Sequence, residues 1–143
     1  MPAPSSSPAA PCPLRPAWVE IDLAQLRRNF ALINQDKPAQ VRLLSVVKAQ
    51  AYGHGAVAVA KTALEAGAAA LAVATIDEAL ELRGAGITAP ILLLGERVPA
   101  ELPVCVQQSL TVCLGDVGIA HRLAGLARRH GQTVPAHVRS TPE

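Results

Sequence analysis

Lys48 stands at the end of an apolar run, Leu43 to Val47, that is interrupted only by Ser45. The run is rich in branched side chains and too short for an independent helix, so it reads as a buried strand of a parallel sheet that stops at Lys48. In open α/β sheets and in (β/α)₈ barrels the site lies beyond the carboxyl ends of the strands, so an amine at this place points to chemistry. A half-buried amine loses proton affinity because desolvation penalises its charged form. A neutral lysine is a nucleophile able to form a Schiff base. The chain then runs Ala49-Gln50-Ala51-Tyr52-Gly53-His54-Gly55, which sets a phenol four positions after the amine and breaks the strand into glycines. His54, between two glycines, serves the turn and takes no catalytic role. His121, His130 and His137 lack metal-ligand spacing, so no metal site is expected.

The elements that must position Lys48 follow from periodicity. Trp18-Val19-Glu20-Ile21-Asp22-Leu23 alternates apolar and acidic residues, as a strand with one wet face does. Asp22 then caps a helix from Leu23 to about Gln35, with Leu23, Leu26, Phe30 and Ile33 at helical spacing, and Pro38 disfavours helix at Lys37. Leu43 to Lys48 is the second strand, and Gly55 to Glu65 the second helix, closed by Gly67. Leu71 to Ala74 is the third strand, and Thr75-Ile76-Asp77-Glu78 matches a capping box for a helix that runs to about Ala85. Ile91 to Leu94 and Thr111 to Leu114 read as further strands. Asp116 caps a helix carrying Ile119, Leu123 and Leu126, and Val134 to Val138 reads as a sixth strand. This alternation predicts an α/β fold with a parallel sheet, a partial (β/α)₈ TIM barrel of roughly five to six βα units.

Composition limits the remaining classes. The chain has 143 residues, 50% hydrophobic but only 2% aromatic, so its core is aliphatic and one domain of it is expected. Met1 to Pro16 holds six of the 12 prolines among Ser and Ala, so residues 1–17 are expected to form a disordered tail before one folded unit, residues 18–143. A net charge of +2 does not suggest nucleic acid, and Arg27-Arg28 and Arg128-Arg129 fall on helical patterns as solvated faces. Cys12, Cys105 and Cys113 form no Cys-x-x-Cys pair, which suits free thiols in a reducing compartment. Neither a membrane-spanning run nor a secretory leader is apparent, so a cytoplasmic protein is expected.

A competing motif is Gly53-His54-Gly55-Ala56-Val57-Ala58, which fits Gly-x-Gly-x-x-Ala, with Asp77 downstream near the distance of a ribose contact. In a dinucleotide turn, however, the first glycine abuts the strand, whereas Ala49 to Tyr52 intervene here. Asp77 is also accounted for by the first turn of the next helix.

The run VVKAQAYGHG, with WVEIDL before it and VATIDEALELRGAGITAPILLLG after it, resembles the amino-terminal part of bacterial alanine racemase. The likeness covers about Trp18 to Val138. It implies a pyridoxal-phosphate enzyme of the barrel type that interconverts L- and D-alanine and supplies D-alanine for peptidoglycan. By the resemblance, Lys48 is the catalytic lysine that holds pyridoxal 5'-phosphate and works on one face of the substrate. Tyr52 matches a tyrosine that contacts the cofactor phosphate. The opposite face is served in the family by a tyrosine from the second subunit's carboxy-terminal domain. The family is homodimeric through that domain, which this chain lacks, so dimerisation is not expected of it. The expected partner is a small molecule, alanine, and not a membrane or nucleic acid.

Gln50 departs from the Asn or Asp usual in this stretch. Where the family continues with approximately Val-Lys-x-Asp-Thr-Gly-Met, this chain reads Val138-Arg139-Ser140-Thr141-Pro142-Glu143. The expectation is a truncated racemase, too short for full activity alone. The alternative is a non-catalytic remnant, or a barrel segment that needs a complementary chain.

Overall fold

The computed structural model describes residues 18–139. The expected tail over residues 1–17, with Cys12 in it, and residues 140–143 lie outside the described residues. Five strands, β1 (Leu44–Val46), β2 (Ala70–Val73), β3 (Ile91–Leu93), β4 (Thr111–Leu114) and β5 (Ala136–Val138), pair in parallel in the order β1-β2-β3-β4-β5. Helices α1 (Leu23–Asp36), α2 (Lys48–Gly53), α3 (Ala56–Glu65), α4 (Ile76–Gly84), α5 (Leu102–Gln107) and α6 (Val117–Arg129) connect or precede them. Each strand lies beside the one before it in sequence, which is how a parallel barrel is wound. Because the order never reverses, the sheet contains, among the described residues, no switch point of the kind at which open sheets bind dinucleotides.

One expected strand does not form. Residues 18–22 carry no sheet pairing, Trp18 and Val19 are 75% and 80% exposed, and Leu23 already opens α1. Alternation supplies a strand with a face but not the pairing: Glu20, Ile21 and Asp22 line one cleft with Ser45 and Val46 of the edge strand β1, yet among the described residues β1 pairs only with β2. The expected sixth strand is therefore the fifth, β5. The connection between β3 and β4 contains a 3₁₀ turn (Pro99–Glu101) and the short α5, neither of which the apolar periodicity announced.

The helix ends follow local chemistry. Asp22 accepts from Gln25 N at 2.8 Å at the start of α1, and Asp116 accepts from Ile119 N at 2.8 Å at the start of α6. Arg128 and Arg129 sit in the last turn of α6, where cations are favoured. At α4 the capping box is complete: Thr75 Oγ1 accepts from Glu78 N at 3.3 Å while Glu78 accepts from Thr75 N at 3.2 Å. Thr75→Ala should lower stability by about 1 kcal/mol, measured as a shift of the urea midpoint; an unchanged midpoint would show the cap to be idle.

The register places Ser45, Val47, Leu71, Val73, Ile91, Leu93 and Val112 on one face of the sheet. These residues pack in a single core with Val59 and Ala60 of α3, Ala79 and Leu82 of α4, Leu102, Cys105 and Val106 of α5, and Leu123 of α6, except that Ser45 is buried outside the cluster. The other face carries Leu44, Val46, Ala72, Leu92, Thr111, Cys113 and His137. Cys105 and Cys113 are free thiols, the first buried and the second half-buried. No helix among the described residues is long and apolar enough to cross a membrane.

Candidate functional site

The last rung of β1 is Val47 N–H donating to Ala72 O at 2.9 Å. Lys48 follows, half-buried at the carboxyl end of the strand. It makes no salt bridge among the described residues.

The chain then reverses its hand. Ala49, Gln50, Ala51 and Tyr52 have φ of 51°, 56°, 51° and 57°, a full left-handed turn built without glycine. Each such residue costs about 1–2 kcal/mol, so the conformation persists only where its surroundings impose it. Several hydrogen bonds do so. Ala51 N donates to Val47 O at 3.0 Å, and Gly55 N to Gln50 O at 2.8 Å. From α4, Glu78 Oε1 accepts from Ala49 N at 2.6 Å and Glu81 Oε2 accepts from Gln50 Nε2 at 2.8 Å. Gln50 thus braces the turn. Gly55 leaves it at φ +89° with nothing within 4 Å of an added Cβ, so its backbone angle, not a lack of space, calls for glycine.

Tyr52 is 61% exposed. It borders an open cleft of about 530 Å³ shared with Glu20, Asp22, Asn29, Phe30, Val46 and His54. Lys48 does not line that cleft. The two candidate residues therefore share one turn at the end of β1, and only Tyr52 fronts the cleft beside α1. The His54 ring lies back on the same turn, its Nδ1 2.9 Å from Ala51 O.

The rim around Lys48 is tied together by charged side chains. Glu78 Oε2 accepts from Ala74 N at 2.7 Å as well as from Thr75 N, so one carboxylate joins the ends of β1 and β2. Arg97, with only 8% of its side chain exposed, donates through Nη2 to Ala74 O at 3.2 Å and Leu94 O at 2.8 Å, joining β2 to β3. Arg139 pairs with Glu96 at 3.3 Å across to the end of β5. Sequence reasoning read Glu78 as a cap only and passed over Arg97, because neither bond across the strand ends has a local signature.

Burial pushes the Glu78 carboxyl up, but the N–H groups of Ala49, Ala74 and Thr75 and the charge of Lys48 outweigh it and hold the group below its ordinary 4.5. A carboxyl depressed on folding contributes stability above its unfolded pKa and loses it as pH falls through the folded value. The stability gap between the wild-type chain and Glu78→Gln should accordingly be full at neutral pH and shrink below about pH 4.5, in urea melts taken across that range. A gap independent of pH would contradict this.

Comparison with known proteins gives a family. The family described as alanine racemase, N-terminal domain, matches residues 21–140. The alanine racemase of Nostoc sp. is 43% identical over 126 residues, covering 86% of this chain and 33% of that protein. Among solved structures, the alanine racemase of Bacillus anthracis with bound L-Ala-P superposes with a TM-score of 0.74 at 44% identity, over 82% of this chain and 30% of the other. That of Clostridium difficile 630 gives a TM-score of 0.81 at 35% identity, over 87% and 32%. The chain spans about a third of the length of the relatives it matches.

Proposed function

The chain belongs to the alanine racemase family, and from that premise we propose that it is the part of a pyridoxal-phosphate-dependent racemase that holds the cofactor's amine partner, Lys48. The observation that carries the reading is the placement of Lys48: a half-buried lysine without a salt-bridge partner among the described residues, at the carboxyl end of a parallel strand, followed by a costly left-handed turn that α4 holds in place. Strain of this kind collects where a side chain must be presented in one place.

The donors fit the cofactor in kind. Lys48 offers a primary amine, and Tyr52 offers an exposed hydroxyl that donates to a phosphate oxygen. When bound, pyridoxal phosphate supplies an aldehyde for the amine and a ring that takes up the electrons of the substrate's Cα–H bond. Lys48 Nζ would handle the Cα proton on one face of alanine only, and inversion to D-alanine would need the second base to handle it on the other. Val47, buried in the core, fixes the backbone from which that amine extends. The product, D-alanine, serves peptidoglycan synthesis.

The second base belongs, by the resemblance, to a region beyond the third that this chain spans. A missing base removes a factor of roughly 10² to 10⁴, so D-alanine formation by this 143-residue chain with pyridoxal phosphate should fall below that of a full-length racemase by that order. The assay is D-alanine formation from L-alanine, followed by chiral chromatography; equal turnover would overturn the expectation. The exposed sheet edges favour a second reading, a barrel segment that acts only with complementary strands: Leu44 and Val46 on β1 are 39% and 37% exposed and Val138 on β5 is 82% exposed. On that reading, a polypeptide carrying the remaining strands raises the rate when added. No rise on addition would count against it.

A further inference from the structure

We propose that Glu78 is the positioning residue for Lys48, resting on the reading of Lys48 as the cofactor amine: its carboxylate takes the Ala49 N–H, fixes where the left-handed turn begins, and thereby sets where the Lys48 amine stands. Three observations carry this. The carboxylate is shared, Oε1 accepting from Ala49 N at 2.6 Å and Oε2 from Ala74 N at 2.7 Å and Thr75 N at 3.2 Å. A helix cap needs only the last of these; the Ala49 bond reaches back 29 residues to the position immediately after Lys48. Ala49 is also the first of the four left-handed residues, so its N–H is where the hand of the chain changes. Bonds to a charged acceptor are the strong ones, and one acceptor that serves two strand ends sets them at a constant separation. Glu78 does not touch the reacting atoms; it acts through the backbone that carries the amine.

Glu78→Gln separates the two duties. An amide has one oxygen, which still serves Ala74 and Thr75, while its NH₂ group turned toward Ala49 leaves that N–H without an acceptor. Thr75→Ala is the control, because it weakens the same cap and leaves the Ala49 bond intact. The experiment compares the wild-type chain and both variants by amide hydrogen exchange over residues 48–55 and by the rate at which pyridoxal phosphate is fixed on Lys48 by borohydride, with Lys37 and Lys61 as internal references. For Glu78→Gln, exchange at Ala49 should rise about tenfold or more and Lys48 labelling fall about tenfold, the scale of one lost charge-assisted bond. Thr75→Ala should leave both near wild type. Lys48 labelling in Glu78→Gln equal to wild type would overturn the proposal, whether or not exchange changes, and so would a loss of labelling in Thr75→Ala as large as in Glu78→Gln. Wild-type labelling no faster at Lys48 than at Lys37 and Lys61 would overturn the reading of the amine and this proposal with it; a Glu78→Gln effect lost while that preference stands removes the proposal alone.

Discussion

Lys48→Arg should lower D-alanine formation by a factor on the order of 10² to 10⁴, measured in whichever mixture, chain alone or chain with complementary strands, turns over faster in the wild type. The substitution is chosen to separate charge from chemistry. A guanidinium keeps the positive charge near Glu78 and much of the side chain's length, so the rim electrostatics stay close to wild type. It does not give up its proton at neutral pH, however, and so is neither nucleophile nor base. Lys37→Arg and Lys61→Arg change the same residue type away from the strand end and should leave the rate as it is. A Lys48→Arg chain that keeps wild-type turnover would mean that the amine is an ordinary charge at a strand end.

The largest effect on stability is expected at the centre of the sheet. Leu93 is fully buried on β3, with Val73 of β2 on one side in register and Val112 of β4 on the other. Leu93→Ala removes contacts to both neighbours and leaves a cavity that strands held by hydrogen bonds on each side do not close. The cost should be about 2–5 kcal/mol, a large share of the 5–15 kcal/mol that holds a typical domain together. Urea unfolding followed by circular dichroism reads it as a lower midpoint at unchanged slope. A loss below about 1 kcal/mol would show that the core repacks around the gap, contrary to the close packing inferred from its burial.

What the sequence made legible was local. Periodicity located α1, α3, α4 and α6 to within a residue or two, and in α1, α4 and α6 the caps, Asp22, Thr75 and Asp116, sit beside the residues they serve. The four strands from Leu44 onward that precede β5 were visible as short apolar runs, and β5 itself as Val134 to Val138. Trp18 to Leu23 misled because alternation reports a face and says nothing of whether the backbone pairs with the edge beside it. The left-handed turn was invisible for a different reason: Ala, Gln, Ala and Tyr have no preference for that conformation, which bonds from Glu78 and Glu81, about 30 residues away in sequence, impose on them. Arg97 was hidden in the same way, since its two carbonyl partners belong to strand ends that only the folded sheet brings together. Lys48 could be singled out because the end of an apolar run is a local feature; what holds the amine in place is not.

The most direct measurement is the site of cofactor attachment in the wild-type chain. After incubation with pyridoxal phosphate, borohydride reduction and digestion, mass spectrometry should find the label on Lys48 well in excess of Lys37 and Lys61, the two other lysines in the sequence. Label spread evenly over all three would contradict the assignment of Lys48.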